Sequence, residues 1–190
     1  IGVIEAIRNF GKEYRDVKLI HRLDKDTSGC QIIAKNNKFL RLCNSLISER
    51  KVKKTYQAVV EGKWTNREGL YEIHLEKNFL KGNERVVKID EGGKIAQTIL
   101  KVIKKTDKFS LMQCELITGR THQLRVQLSS LGHPIIGDVK YGKKNTKKSK
   151  FFQAKNRMYL HADSFVSKEL DIKIFANAPE EFKKILKNDE

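Results

Sequence analysis

The chain has 190 residues, a length typical of one domain, and 39% of them are apolar, which is enough for a sizeable core. Its 39 Lys and Arg against 23 Asp and Glu give a net charge of +16, which favours a polyanionic partner, nucleic acid before an anionic membrane. No apolar run is long enough to cross a bilayer, and nine Phe, five Tyr and one Trp argue against a disordered chain.

The N-terminus and the cysteines indicate where the protein works. The chain does not begin with Met, and its first residues lack the basic and apolar regions of a secretory signal, so we expect a fragment of a longer, cytoplasmic protein. Cys30, Cys43 and Cys114 are widely spaced, which is typical of small buried hydrophobes in a reducing cytosol. Neither the cysteines nor the histidines show the spacing of metal ligands, so we predict no metal site.

Apolar periodicity predicts four elements in the first third of the chain. They are, in chain order, a helix ending near Gly11, a short buried strand over residues 30–34, a helix from a cap at Asn36 or Asn37 to about Arg50, and a strand over residues 55–60.

The remainder of the chain is predicted to be rich in strands. Strands over residues 70–75, 85–89, 95–103 and 110–117 precede a helix over 122–131, a basic loop over 142–150, a strand over 171–175 and a final helix beginning at Pro179. Because helices and strands do not alternate regularly and no linker divides the chain, we predict one α+β domain with a mixed, largely antiparallel sheet and flanking helices.

Positive charge is concentrated in two clusters. Residues 139–157 hold eight cations and no acid, and the candidate phosphate contacts in this segment are Lys143, Lys144, Lys147 and Lys148. A second cluster follows the predicted second helix and consists of Arg50, Lys51, Lys53 and Lys54. Neither cluster has the interleaved apolar face of a membrane-surface helix, so nucleic acid is the favoured partner and a membrane is not expected.

A polar loop over residues 21–29, His-Arg-Leu-Asp-Lys-Asp-Thr-Ser-Gly, precedes the first predicted strand, and functional side chains concentrate in such loops. Asp24 and Asp26 match the first half of a calcium loop, but the twelfth position is Lys35, a cation, which excludes that reading. An aspartyl-phosphate enzyme would need an apolar run directly before Asp24, and a histidine and an arginine interrupt it. From these residues alone, turn or cap residues without chemistry remain the default.

Four stretches together resemble the catalytic domain of the RluA-type pseudouridine synthases. They are the loop 21–29, residues 54–62 (Lys-Thr-Tyr-Gln-Ala-Val-Val-Glu-Gly), residues 118–128 (Thr-Gly-Arg-Thr-His-Gln-Leu-Arg-Val-Gln-Leu) and residues 132–142 (Gly-His-Pro-Ile-Ile-Gly-Asp-Val-Lys-Tyr-Gly). The resemblance covers nearly the whole chain, and the stretches 75–78, 84–87 and 91–94 look most like the RluC subtype, which modifies large-subunit ribosomal RNA. It implies conversion of uridine in RNA to its C-glycoside isomer without redox change, and hence no cofactor.

The resemblance also implies a set of site residues. The family's catalytic aspartate falls on Asp24, its active-site tyrosine on Tyr56, and the cation beside the aspartate on Arg125. An arginine serves well there because its charge is permanent and its fork orients a carboxylate. Arg22 resembles an arginine that engages the RNA where the target base is extruded. The remaining candidates, expected to position loops or contact RNA, are His21, Arg120 and His122.

Several expectations about the whole protein follow from the resemblance. Relatives carry extra N-terminal sequence, usually a small basic RNA-binding domain and a first strand, so residues 1–190 are expected to be the catalytic domain alone. The implied substrate is 23S ribosomal RNA of the large-subunit precursor, and a monomer is expected. Gln127 stands where the family often has His, from which we expect a lost contact and retained activity.

Two questions stay open at the level of sequence. A non-catalytic RNA-binding or ribosome-assembly module on the same fold would share the basic surface. The intact set of Asp24, Tyr56 and Arg125 favours the enzyme, since a binding module would be free to lose one of them. Whether Asp24 attacks the base, attacks the sugar or acts as a base toward a glycal-like intermediate is not decided by the residues.

Overall fold

The computed structural model describes residues 2–81, 84–142 and 157–187. Within these ranges the strands are β1 Lys18–Leu19, β2 Ser28–Gly29, β3 Ile33–Ala34, β4 Lys53–Glu61, β5 Gly69–Lys81, β6 Glu84–Ile89, β7 Lys94–Lys105, β8 Phe109–Leu116, β9 Leu160–Ser167 and β10 Ile172–Phe175. The α-helices are α1 Val3–Arg8, α2 Asn37–Ser48, α3 Gln123–Ser130 and α4 Glu181–Lys187, and a 3-10 turn spans Lys12–Tyr14.

One twisted sheet organises the described part of the chain. Its order is β10-β9-β4-β8-β7-β5-β6, all of these neighbours are antiparallel, and β2 lies parallel to β9. A separate antiparallel ribbon pairs β1 with β3. The predicted α+β class with a mixed, largely antiparallel sheet is confirmed. None of the described helices is long and apolar enough to cross a bilayer.

The predicted cap of α2 is confirmed in its details. The Asn36 side chain accepts a hydrogen bond from the Phe39 backbone N–H at 2.8 Å, which satisfies one of the free donors of the first turn. Cys43 and Leu46 face inward from this helix and are buried. The helix ends at Ser48, two residues before Arg50, whose φ of 60° is a left-handed conformation more often occupied by glycine.

Strand β4 runs through the centre of the sheet and carries much of the core. It pairs with β8 on one side and β9 on the other, and Tyr56, Ala58, Val59 and Val60 are all buried. Because a central strand is covered on both faces, its buried residues are nearly continuous instead of alternating. The helices α3 and α4 pack on this core through buried Leu124, Leu128 and Phe182, among others.

The first predicted strand is wrong in its extent. Residues 30–34 were expected to form one strand, but only Ile33 and Ala34 do so, in the small ribbon with β1. The backbone N–H of Cys30 instead donates to the Ala162 carbonyl, and that of Ile32 donates to the His21 ring. These loop contacts satisfy the donors that a longer strand would have used.

Strand β9 was not predicted, although it lies between β10 and β4 in the sheet. Its sequence mixes apolar residues with His161, Asp163 and Ser164, so neither alternation nor an apolar run marks it. Those polar groups find partners only in the folded protein: His161 hydrogen-bonds Ser28 at 2.9 Å, and Asp163 accepts from Gln57 at 2.7 Å. Tertiary contacts therefore override the local polarity.

Gly29 ties the polar loop to the sheet. It has a φ of +110°, and a Cβ built there would lie 2.1 Å from the Ala162 carbonyl oxygen. Only glycine allows β2 to approach β9 this closely. The loop that carries Asp24 is thereby anchored a few residues downstream to the centre of the sheet.

Two further sequence predictions can be placed. The three cysteines are all free and buried, as expected. The cations Lys143, Lys144, Lys147 and Lys148 lie outside the described residues, so their role as phosphate contacts stays a prediction.

Candidate active site

The polar loop, the start of β4 and the turn before α3 enclose a cavity of about 630 Å³. Its lining includes seven residues that sequence reasoning selected, namely His21, Arg22, Asp24, Tyr56, Arg120, His122 and Arg125. The fold thus brings together seven candidates that span a hundred residues of sequence. Asp24 is the single carboxylate among the lining residues.

Asp24 stands at the edge of this cavity in a tight turn. Its backbone carbonyl accepts a hydrogen bond from the Thr27 N–H at 3.0 Å, and its side chain keeps 19% of its surface exposed. The carboxylate Oδ2 lies 3.4 Å from Nη1 of Arg125, and Oδ1 lies 3.9 Å from Nε2 of His122. The carboxylate is therefore reachable from the cavity and held beside a permanent cation.

Arg125 has a second and closer partner that sequence reasoning missed. Its Nε and Nη2 donate to the two carboxylate oxygens of Asp138 at 2.7 and 2.8 Å, a bidentate pair in which Asp138 is only 1% exposed. Burial opposes the charge on Arg125, but the hydrogen bonds to Asp138 and the charges of Asp138 and Asp24 outweigh it and raise its pKa. Burial likewise opposes the charge on Asp138, and the bonds from Arg125 outweigh it and lower the pKa of that carboxyl.

Asp138 is itself fixed by its turn. Its Oδ1 also accepts the backbone N–H groups of Lys140 and Tyr141 at 2.9 and 3.0 Å. The preceding residue, Gly137, has a φ of +79°, and a Cβ there would lie 1.9 Å from the Arg157 carbonyl oxygen. The sequence offered one sign that Asp138 matters, because it is the one acid in the Gly-His-Pro-Ile-Ile-Gly-Asp stretch. Nothing in the neighbouring residues, however, distinguished it from a surface turn residue.

His122 bridges Asp24 to Tyr141, another residue that sequence reasoning did not select. Nδ1 of His122 lies 2.7 Å from the Tyr141 hydroxyl, which also accepts the Val87 N–H at 3.0 Å. The His122 backbone has a φ of 54° and immediately precedes α3, which turns its ring toward the cavity. Burial lowers the pKa of His122, an effect that Asp24 opposes and Arg125 reinforces.

Tyr56 lies on β4 with its ring in the cavity wall and is 8% exposed. Burial, and then the charge of Asp24, raise the pKa of its phenol to about 12. The hydroxyl therefore stays protonated at neutral pH and can donate a hydrogen bond, while the ring offers a face for stacking.

Of the other candidates, His21 supports the polar loop, whereas Arg22 and Arg120 are exposed to solvent. His21 accepts the Ile32 N–H at Nε2 and stacks on Phe165 with ring centroids 5.6 Å apart, and burial, followed by the charge of Lys54, lowers its pKa to about 4. It is a neutral residue that holds the loop. Arg22 and Arg120 are exposed at the cavity, and Nε of Arg120 donates to the Ile95 carbonyl at 2.9 Å.

Two glutamines of the Gln-Leu-Arg-Val-Gln stretch are internal supports. Gln123 is buried and bonds Thr118 and the Arg120 backbone, which fixes the turn before α3. Gln127 is also buried, and it bonds Thr98 at 2.6 Å and the Ala96 carbonyl at 3.1 Å. Where the family often has His, this chain therefore has a side chain that joins α3 to β7.

The described ranges contain no cluster of metal-binding side chains. No group of three or more His, Cys, Asp or Glu side chains there is placed to hold a metal ion.

Comparison with known proteins gives the family. Residues 5–130 match the family model described as RNA pseudouridylate synthase. The chain is 40% identical over 163 residues to the ribosomal large subunit pseudouridine synthase C of Haemophilus influenzae, covering 86% of this chain and 51% of the relative. The Pasteurella multocida protein of the same name is 38% identical over 189 residues, covering 97% of this chain and 58% of the relative. The chain thus spans little more than half the length of these relatives.

The fold comparison agrees with the sequence comparison. The human RNA pseudouridylate synthase domain containing 1 superposes with a TM-score of 0.75 at 28% identity, covering 88% of this chain and 72% of that one. Together with the match over residues 5–130, this shows that the chain belongs to the RNA pseudouridylate synthase family.

Proposed function

We propose that the chain is the catalytic domain of an enzyme that isomerises uridine to pseudouridine within RNA, with Asp24 as the catalytic residue. One observation carries the proposal: among the described residues, Asp24 is the single carboxylate lining the cavity, and it lies 3.4 Å from the guanidinium of Arg125. The guanidinium is a fixed cation that can orient this carboxylate by its charge and its hydrogen-bond geometry.

The cavity suits an extruded nucleoside. Its volume of about 630 Å³ falls within the usual range of small-molecule sites. A uridine stacked in RNA cannot present C5 and C1′ to a carboxylate, so the base must leave the stack, as it does in other base-modifying enzymes. Arg22, exposed at the cavity, is placed to occupy or hold the vacated space.

The isomerisation is balanced without a cofactor. The N1–C1′ bond of uridine breaks, the base rotates, a C5–C1′ bond forms, and the proton leaves C5 while N1 gains one. Asp24 acts at the base or the sugar in the first step. Tyr56 stacks on the uracil, and its protonated hydroxyl assists the proton transfer at C5. His122, beside Asp24, helps to orient the carboxylate.

The substrate proposal draws on the relatives' names. Two proteins called ribosomal large subunit pseudouridine synthase C share 38–40% identity with this chain, so we propose large-subunit ribosomal RNA as the substrate. We also propose that the substrate is the precursor RNA, that the enzyme is a monomer and that it acts in the cytoplasm. The net charge of +16 supports an RNA partner.

The test compares two aspartates of the same loop. Asp24→Asn keeps the size of the side chain and removes its charge, so tritium release from C5-labelled uridine in ribosomal RNA should fall below detection. Asp26→Asn is the matched control, because Asp26 is exposed in the turn, and it should keep activity. Both proteins should bind RNA as the parent does. Their free energies of unfolding should lie within about 1 kcal/mol of that of the parent, the scale of a lost turn bond.

Two results would contradict the role of Asp24, and a third would contradict the enzymatic activity itself. Full activity of Asp24→Asn would remove Asp24 from the chemistry, and loss of activity in folded Asp26→Asn would give that role to the other aspartate. A parent protein that binds ribosomal RNA but releases no tritium from any uridine would instead support the non-catalytic RNA-binding module.

A further inference from the structure

The cationic cluster that follows α2 divides into two pairs. Lys51 forms an ion pair with Glu49 at 2.6 Å, and Lys53 forms one with Glu115 at 2.7 Å. These two lysines are about half exposed and their charges are compensated on the surface. Exposed pairs of this kind contribute little to stability, but each of the two lysines already has a carboxylate partner.

Arg50 and Lys54, the other two members of the cluster, line the cavity that contains Asp24. Among the described residues, neither has a carboxylate within ion-pair distance. The two paired lysines, Lys51 and Lys53, thus lie between two cavity-lining cations that have no carboxylate partner among the described residues.

Lys54 is half-buried in the cavity wall. A Cβ built on Gly119 would lie 3.3 Å from Lys54 Nζ, so the ammonium packs against the turn before α3. Burial lowers the pKa of Lys54, and the charge of Lys54 in turn helps to lower the pKa of His21. A half-buried cation without a counterion is unfavourable in the free protein, which indicates that a ligand supplies the anion.

Arg50 adds a second sign of function. Its φ of 60° is a left-handed conformation that is strained for a non-glycine residue, and it lies two residues after the end of α2, where glycine would be unstrained. Strained residues of this kind concentrate at functional sites. Glycine at this position would relieve the strain, but it would remove the guanidinium that Arg50 places at the cavity.

The charge around the cavity points to an anionic ligand beyond the base. Within the described part of the chain, five cations line it against the one carboxylate of Asp24, namely Arg22, Arg50, Lys54, Arg120 and Arg125. Arg125 is already compensated by Asp138 and Asp24. Uracil is neutral, so we expect the uncompensated cations to contact the negatively charged phosphates of the RNA backbone.

We propose that Lys54 and Arg50 form a subsite for a backbone phosphate of the RNA, adjacent to the extruded uridine. The position follows from β4: Lys54 and Tyr56 are two residues apart on one face of the strand, with Cα atoms about 7 Å apart, and both line the same cavity. This inference rests on the proposed function, because it assigns the phosphate to the RNA that carries the target uridine.

The test measures the salt dependence of binding to a transcript of large-subunit ribosomal RNA. Each single-strand phosphate contact contributes about 0.7 to the slope of log affinity against log salt. Lys54→Gln should reduce the slope by about that amount and weaken binding. Lys54→Arg, which keeps the charge, should restore both. Lys53→Gln is the matched control. It removes the same charge at the neighbouring position, where the lysine is already paired with Glu115, and it should keep the parent slope.

Thermal unfolding without RNA separates this role from a structural one. Loss of an uncompensated cation should leave the melting temperature of Lys54→Gln unchanged or higher, whereas loss of a structural contact would lower it. Arg50→Gly should likewise melt higher, because glycine relieves the left-handed strain, and should reduce the salt slope.

The proposal is overturned if Lys54→Gln keeps the parent slope, or if Lys53→Gln loses as much as Lys54→Gln. Arg50→Gly with a raised melting temperature and an unchanged slope would remove Arg50 from the subsite. Because the assay measures binding alone, these outcomes do not depend on whether the parent protein makes pseudouridine.

Discussion

Replacing Asp138 with Asn tests whether the buried pair with Arg125 is what holds the Arg125 guanidinium in place beside Asp24. In the folded protein, four N–H groups donate to the two oxygens of Asp138: Nε and Nη2 of Arg125 and the backbone amides of Lys140 and Tyr141. Asn offers a single acceptor oxygen, and its NH₂ group would meet at least one of those donors. The substitution thus leaves buried donors unpaired and the guanidinium without its closest counter-charge.

The expected cost is large. Removing one partner of a buried ion pair costs about 3–5 kcal/mol, and Asp138 is only 1% exposed, so solvent replaces little of the loss. For a chain of this size, each kcal/mol lowers the melting temperature by about 2–4 °C, which predicts a fall of roughly 10 °C. Arg125 should also turn from its present orientation, so tritium release should fall by at least about 10²-fold in the protein that remains folded.

The assay is thermal unfolding followed by circular dichroism, with activity measured well below the transition. Asp107→Asn is the matched control, because the same substitution there removes an exposed pair with Lys63, in which the Asp107 side chain is 89% exposed, and should change neither quantity. A melting temperature of Asp138→Asn within about 2 °C of the parent would refute the reasoning, since it would mean that the bidentate pair carries no net stability.

Two more predictions concern titrating groups. The pKa of His21 is lowered to about 4 in the folded protein, so acid protonates the unfolded state first, and between about pH 6.5 and pH 4 the parent should lose about 3 kcal/mol that His21→Gln does not lose. Urea unfolding at several pH values measures the difference, and parallel curves would contradict it. Because the pKa of Tyr56 is raised to about 12, its hydroxyl should remain a donor up to about pH 10, and Tyr56→Phe should lower kcat about 10²-fold with little change in KM. Full turnover of Tyr56→Phe would reduce Tyr56 to a stacking surface.

Local sequence was sufficient where local interactions decide the structure. The Asn36 cap and the apolar spacing after it predicted α2, and the apolar run at Tyr56 predicted β4, because cap bonds and burial periodicity act within a few residues. The resemblance then selected Asp24, Tyr56 and Arg125, which the fold brings to one cavity.

Long-range partners could not be read from the chain. Strand β9 was missed because His161 and Asp163 are polar, and their partners Ser28 and Gln57 lie more than a hundred residues earlier. Asp138 was missed for the same reason, since only its approach to Arg125 distinguishes it from a turn residue. Pairing that depends on tertiary structure leaves no periodic signal.

The central claim is tested most directly by mapping pseudouridines in large-subunit ribosomal RNA from cells that lack this protein. Re-expression of the parent protein should restore a defined set of pseudouridines at single-nucleotide resolution. Re-expression of Asp24→Asn at the same level should leave every one of those positions as uridine, while Asp26→Asn should restore them all. Restoration of the full set by Asp24→Asn would contradict the assignment of Asp24 as the catalytic residue.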